Sequence, residues 1–235
     1  MRFRSPENLS AQAIAALALS DLYRQLILDR DRQQEAQKIL AELAGAFFSV
    51  ETWGATLWAV TYALACLDLP TVKGAVLLPF FERENELFLD EETRDRHFKC
   101  TGYLIGLLRW QQEQARDFLV RRCMRETRVA SLASVAISAL GRLADPQDKS
   151  MLEAIALGRF GDYLPHLVSA PPNDVAYLQR RAIGALASVG DLGTVAMLRA
   201  DRRPAEVAFS HWDLATEQVL QRSSEEIFWR LSWDR

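Results

Sequence analysis

The chain has 235 residues, of which 49% are hydrophobic and 25% charged. This length and apolar content are sufficient for a hydrophobic core, in one large domain or in one elongated array. The formal net charge of −3 lacks the basic excess that is typical of general nucleic-acid binders, so the composition argues against nucleic acid as a partner.

The chain begins with a stretch that imitates a weak signal peptide. Two arginines precede the apolar residues 13–19, AIAALAL. However, Ser5 and Pro6 are typical of a helix start, and the apolar stretch continues that helix. No apolar run reaches the roughly 20 residues of a membrane span, so we expect no membrane partner.

The cysteines are widely spaced and show no zinc-site pattern. We expect buried, reduced thiols and a cytoplasmic protein. The three cysteines are Cys66, Cys100 and Cys123.

Apolar periodicity predicts about twelve helices in consecutive antiparallel pairs. The predicted pairs are 6–28 with 31–45, 50–68 with 71–81, 91–109 with 112–124, 127–143 with 147–157, 174–189 with 192–200, and 205–221 with 224–232. Two segments break the pattern: the acidic residues 82–90, and residues 158–173, GRFGDYLPHLVSAPPN. The second is long for a helix–helix connection, so it is either a functional loop or a plain spacer.

Several of these pairs repeat one another in sequence. Residues 136–152 align without a gap on residues 182–198, at an offset of 46, with seven identities in 17 positions. Residues 63–73 match 139–149 at an offset of 76, which is twice 38. A degenerate copy at 102–120, with a break near Trp110, fills the space between them.

Each copy has the same physical design. Its first helix carries apolar residues on one stripe, which we expect to be buried, and its small residues allow close packing: Ala136, Ala139, Ala182 and Ala185. A tight turn follows, in which Asp145 or Asp191 caps the next helix, and Pro146 or Pro70 occupies its first turn. Because one helix pair cannot bury both of its faces, neighbouring pairs must stack.

The pattern A-x-x-A-L-G-x-L-x-D-P-x-x-x-x-x-L resembles the HEAT-like repeats of the bilin-lyase type. Residues 136–152 carry it most fully, whereas 182–198 have Leu192 in place of the proline and 63–77 have Leu69 in place of the aspartate. The resemblance implies an all-α fold, an α-solenoid of about five to six antiparallel helix pairs. Such repeats occur in lyases, adaptors, immunity-type proteins and assembly factors.

On this interpretation the whole chain, 1–235, is a single HEAT-like repeat domain. Its parts are an N-terminal helix pair at 6–48, degenerate repeats at 50–124, the best-formed repeats at 127–200 with the 158–173 insertion, and a C-terminal capping pair at 204–235.

No pattern in the chain predicts a catalytic, metal or cofactor site. The histidines are far apart, and we expect His97 to be solvated on a charged helix face. Ser131, Ser134 and Ser138 share one helix and read as small packing residues. We therefore expect no enzyme activity and no cofactor.

Candidate partner-binding residues fall into three groups. Arg121, Arg125 and Arg128 share one helical face if the helix continues through them, which predicts either a solvated face or a ridge for an acidic or phosphate-bearing partner. Tyr163 and His166 lie in the long 158–173 segment. The remaining candidates lie nearer the C-terminus: Arg199, Trp212, Trp229 and Trp233.

The tryptophan candidates each allow two interpretations. Trp212 lies in His211-Trp212-Asp213, which is similar to the tryptophan and aspartate of some HEAT-like DNA glycosylases, or it packs between helices. Trp229 and Trp233 lie on one face of the last helix, which folds back on the preceding pair or docks on a partner.

The sequence thus predicts a non-catalytic scaffold or adaptor that holds a protein partner on its solenoid surface. One alternative is an immunity protein that neutralises a toxin or effector. Another is a bilin-lyase-type chaperone or a HEAT-like DNA glycosylase.

Overall fold

The structure is a computed structural model that describes residues 11–52, 54–84, 86 and 90–189. Every regular element in these ranges is helical, which confirms the predicted all-α class for this part of the chain. The helices are α1 (Ala11–Leu26), α2 (Gln33–Phe48), α3 (Gly54–Ala65), α4 (69–83), α5 (Glu91–Leu108), α6 (113–125), α7 (Ala130–Leu143), α8 (Lys149–Ala156) and α9 (Pro172–Ser188). The helices predicted at 192–200, 205–221 and 224–232 lie outside the described residues.

Two of these helices change their winding part-way along. In α4 the segment Lys73–Leu77 is π-helical, and the N–H of Leu78 donates to the carbonyl of Lys73, five residues earlier. In α6 the segment Phe118–Arg125 is also π-helical. A π turn holds more residues than an α turn, so it changes which side chains face the core. None of the helices in the described ranges is both long enough and apolar enough to cross a bilayer.

The chain divides into two compact units, one ending at Leu104 and the other starting at Ile105, within α5. In the N-terminal unit, α1 packs against α2 and α3, and α2 packs also against the π segment of α4. Large side chains from successive helices fill this core, namely Tyr23, Phe47, Leu57 and Phe80.

In the C-terminal unit, α7 packs against α9 and against the π segment of α6, while α9 packs also against α8. All residues from Leu132 to Gly141 are buried, so the expectation of one buried stripe is wrong for this helix. Its many Ala, Ser and Gly residues allow neighbours to approach on several sides. The buried hydroxyl of Ser134 is satisfied by the carbonyl of Ser131, at 2.8 Å, and by the hydroxyl of Tyr177.

The turns follow the predicted capping chemistry, with one shift. Asp145 accepts from the N–H of Gln147 at 3.0 Å, and Pro146 begins the following 3₁₀ turn, Pro146–Asp148, as predicted. In the α3–α4 turn the capping carboxylate belongs to Asp68, which accepts from the N–H of Thr71 at 2.9 Å. This copy therefore keeps its aspartate, one residue before the position occupied by Leu69.

Gly106 lies where α5 approaches α7 closely. A Cβ atom there would lie 3.1 Å from both Cα and Cβ of Ala139, whereas a Cβ at Gly45 in α2 would have nothing within 4 Å. We therefore expect Gly45→Ala to stabilise the protein by up to about 1 kcal/mol, through helix propensity. Gly106→Ala should destabilise it by about 1 kcal/mol, because α7 must shift. Urea denaturation of the two variants measures this difference in sign, and stabilisation by both would contradict the close approach.

Candidate functional site

The predicted arginine ridge is shorter than expected. Helix α6 ends at Arg125, where the N–H of Glu126 still donates to the carbonyl of Arg121. The hydroxyl of Thr127 then accepts from the N–H of Val129 at 3.0 Å, which stabilises a non-helical connection. Arg128 lies in this connection, so the helix does not continue through all three arginines and the condition for one shared helical face is not met.

Charge is distributed unevenly over this surface, which we call the α6 arginine surface and define as Arg121, Arg125 and Arg128. Arg121 forms ion pairs with Asp117, at 3.0 Å, and with Glu126, at 3.6 Å. Arg125 and Arg128 are exposed and form no ion pair with any residue in the described ranges. The uncompensated positive charge therefore lies at the C-terminal end of α6 and just beyond it.

The 158–173 segment is a packed loop with a short 3₁₀ turn, Pro165–Leu167. Phe160, Leu164 and Leu167 are buried and anchor it. Tyr163 is half-buried and His166 is exposed. Of these two candidates, only His166 is fully accessible to a partner. The other predicted residues lie outside the described residues: Arg199, Trp212, Trp229 and Trp233.

His97 is not solvated, contrary to the sequence-based expectation. Its side chain is fully buried against the edge of Phe47, and Nδ1 lies 2.9 Å from the carbonyl oxygen of Thr93. Burial lowers the pKa of His97, although hydrogen bonds with the backbone of Thr93 and Phe47 oppose that shift. The neighbouring Arg94 and Arg96 are half-exposed, so the charged residues next to His97 in sequence do not share its burial. Of the three cysteines, Cys100 and Cys123 are buried free thiols as predicted, whereas Cys66 is only partly buried.

A polar cleft of about 290 Å³ lies between the start of α6 and the α7–α8 turn. We call it the α6–α8 cleft. Its charged side chains are the carboxylates of Glu113, Asp145 and Asp148 and the guanidinium of Arg116. Glutamine amides line it as well, and one of them, Gln111 Nε2, donates to the carbonyl of Leu143 at 2.7 Å. No sequence motif predicted this cleft.

An ion pair forms the inner wall of the α6–α8 cleft. Both Nε and Nη2 of Arg116 donate to Oδ1 of Asp148, at 2.8 and 2.5 Å. Asp148 is fully buried, and its second oxygen, Oδ2, accepts no hydrogen bond from any residue in the described ranges. Burial raises the pKa of Asp148, and the hydrogen bond and charge of Arg116 counteract this in part.

Two more charged side chains near the end of α7, Asp145 and Arg142, also have shifted pKa values. Hydrogen bonds from the side chain and N–H of Gln147 lower the pKa of Asp145. Arg142 donates from Nε to the carbonyl of Gly106 at 3.1 Å. Burial, followed by the charge of Arg109, lowers the pKa of Arg142 to about 10. The end of α7 is thus tied to residues 105–112 by hydrogen bonds from long polar side chains.

The described residues contain no group of three or more His, Cys, Asp or Glu side chains arranged to hold a metal ion. Comparisons with protein-family models, curated proteins and solved structures find no match. The two candidate surfaces, the α6 arginine surface and the α6–α8 cleft, are therefore assigned from geometry and charge.

Breaking the ion pair between Arg116 and Asp148 should lower the free energy of unfolding. Arg116→Met keeps an aliphatic stem but leaves the Asp148 carboxylate buried and unpaired, so we expect a loss of about 2–3 kcal/mol at pH 7. Arg121→Met removes a half-exposed arginine from the same helix and should cost less than about 1 kcal/mol.

The loss of stability in Arg116→Met should also depend on pH, which gives a second measurement. An unpaired buried carboxylate has a folded-state pKa above its unfolded value of about 3.9, so the loss should grow as pH rises through the folded pKa. Below both pKa values Asp148 is protonated in both states, and the two methionine variants should converge. Urea denaturation between about pH 3 and pH 7 measures both effects, and equal losses at pH 7 would contradict a structural role for the pair.

Proposed function

We propose that the protein is a non-catalytic scaffold that binds another protein on the surface of an α-solenoid of HEAT-like helix pairs. The supporting observation is that alternate helices contact each other within each unit, α1 with α3 and α7 with α9, while α2 packs against both α1 and α3 and α8 packs against α9. This is the arrangement expected when consecutive helix pairs stack. Stacked pairs present extended surfaces, and proteins with this architecture commonly use such surfaces to bind other macromolecules.

The α6 arginine surface is the part of this scaffold best suited to a partner. Arg125 and Arg128 carry positive charge that no residue in the described ranges neutralises, and both are exposed. A guanidinium offers five donors in a planar fork, which suits carboxylate groups. We propose that the partner presents an acidic segment to these two arginines, while Arg121 remains paired within its own helix.

Charge reversal of the two unpaired arginines tests the proposal. Arg125→Glu with Arg128→Glu should reduce partner recovery at least about tenfold in pull-downs from the source organism, since two attractive contacts become repulsive. Recovery of the partner with the unmodified protein should also fall as salt is raised. A photo-crosslinking residue placed at position 128 would identify the peptide of the partner that contacts this surface.

A matched control is available in the N-terminal unit. Lys38 and Arg83 are exposed and form no ion pair with a described residue, so Lys38→Glu with Arg83→Glu produces the same change in net charge. It should leave recovery unchanged. Equal loss in both double variants would show a general charge effect, and no loss in either would refute the assignment of this surface. The identity of the crosslinked protein would also separate an adaptor from an immunity protein, whose partner is a toxin.

A further inference from the structure

Of the three serines in α7, only Ser131 is exposed. Ser134 and Ser138 are buried and are the packing residues that the sequence predicted, whereas Ser131 is not. The Ser131 hydroxyl forms no hydrogen bond with any residue in the described ranges. We propose that Ser131 is a phosphorylation site and that its phosphate switches off the α6 arginine surface. This inference rests on the proposed function, because it concerns the regulation of the same surface.

Two arginines precede Ser131 in a pattern that favours a serine kinase selective for basic substrates. Arg128 lies three residues before it and Arg125 six residues before it. Both arginines are exposed, and neither forms an ion pair with any residue in the described ranges. Kinases select substrates partly by charge pattern, so unpaired arginines ahead of a serine favour a kinase with an acidic substrate groove.

The local backbone gives a kinase access to Ser131. The preceding connection is already non-helical, with the N–H of Val129 donating to the hydroxyl of Thr127. Val129 is the N-cap of α7 and supplies no side-chain cap, so the first turn lacks a contact that often stabilises a helix start. Helix ends fray, and opening of this turn presents Ser131 while the buried part of α7, from Leu132 onwards, stays packed.

The group transfer uses a nucleoside triphosphate and a protein serine kinase. Oγ of Ser131 forms a bond to the γ-phosphorus, and the bond from that phosphorus to the bridging oxygen of the triphosphate breaks. The nucleoside diphosphate leaves with the electron pair, and the hydroxyl proton passes to the catalytic base of the kinase. The product is a phosphate monoester on the second residue of α7.

This phosphate neutralises the α6 arginine surface. A phosphoserine carries about −1.5 to −2 charges at neutral pH, which offsets the two positive charges of Arg125 and Arg128. Three residues of chain span at most about 10 Å, so the flexible side chain of Arg128 reaches the phosphate and forms charge-assisted hydrogen bonds with it. The start of α7, which has no side-chain cap, favours the same negative charge. Arginines engaged in this way no longer attract the acidic segment of a partner.

Ser150 provides a matched control. It is exposed and is the second residue of α8, as Ser131 is of α7. However, residues 144–149 contain no arginine, and Gln147 occupies the position three residues before it. A phosphate at either serine lies at a helix start, but only the phosphate at Ser131 has unpaired arginines beside it in the chain.

The first experiment tests the site. The unmodified protein is incubated with ATP and a soluble extract of the source organism, and its phosphopeptides are mapped by mass spectrometry. We expect phosphate at Ser131 and not at Ser150, and Arg128→Gln should slow the modification at least about tenfold. Absence of phosphate at Ser131, or a rate that Arg128→Gln leaves unchanged, would overturn the assignment.

The second experiment tests the pairing, with phosphoserine incorporated during synthesis at position 131 or 150. The second pKa of phosphoserine, about 6, is followed by ³¹P resonance. Arg125→Gln with Arg128→Gln should raise this pKa at position 131, because nearby positive charge favours the dianion, and leave it unchanged at position 150. An equal effect of the double variant at both positions, or no effect at either, would contradict the pairing.

Pull-downs with the same phosphorylated proteins test the regulation. Phosphoserine at position 131 should reduce partner recovery at least about tenfold, and phosphoserine at position 150 should leave it unchanged. Recovery that is lost on charge reversal of Arg125 and Arg128 but unaffected by the phosphate would overturn this inference and leave the proposed function standing. Recovery that survives both changes would overturn both.

Discussion

The ion pair between Arg116 and Asp148 joins α6 to the turn before α8 in the C-terminal unit. Asp148 is fully buried, and a carboxylate removed from water without a partner costs several kcal/mol. Only Arg116 of α6 provides a cationic partner for it among the described residues. The pair therefore fixes the position of α6 relative to the turn that leads into α8, on a helix whose π segment packs against α7. Packing alone would tolerate small sliding of these helices, but a charged hydrogen bond of this kind would not.

Helix α6 directs its arginines to two different environments. Arg116 lies at its α-helical start and faces the cleft, whereas Arg121 and Arg125 lie in the π-helical segment that begins at Phe118. The wider turn keeps Phe118, Leu119, Cys123 and Met124 in the core while Arg125 stays exposed. One helix thereby carries a structural ion pair at one end and uncompensated positive charge at the other. The predicted cluster of Arg121, Arg125 and Arg128 is not a single ridge, because Arg121 is paired within α6 and Arg128 lies beyond the end of the helix.

Local features of the fold were accessible from the sequence, whereas features that join distant residues were not. Apolar periodicity predicted the helices of the described region, and Asp145 with Pro146 predicted the cap of the α7–α8 turn. Arg116 and Asp148 are 32 residues apart, and no short pattern links them. The change to π winding in α4 and α6 also left no sequence signal, because it depends on tertiary packing. His97 was misplaced for a similar reason: its charged neighbours suggested solvent, and only the contact with Phe47 in α2 shows that it faces the core.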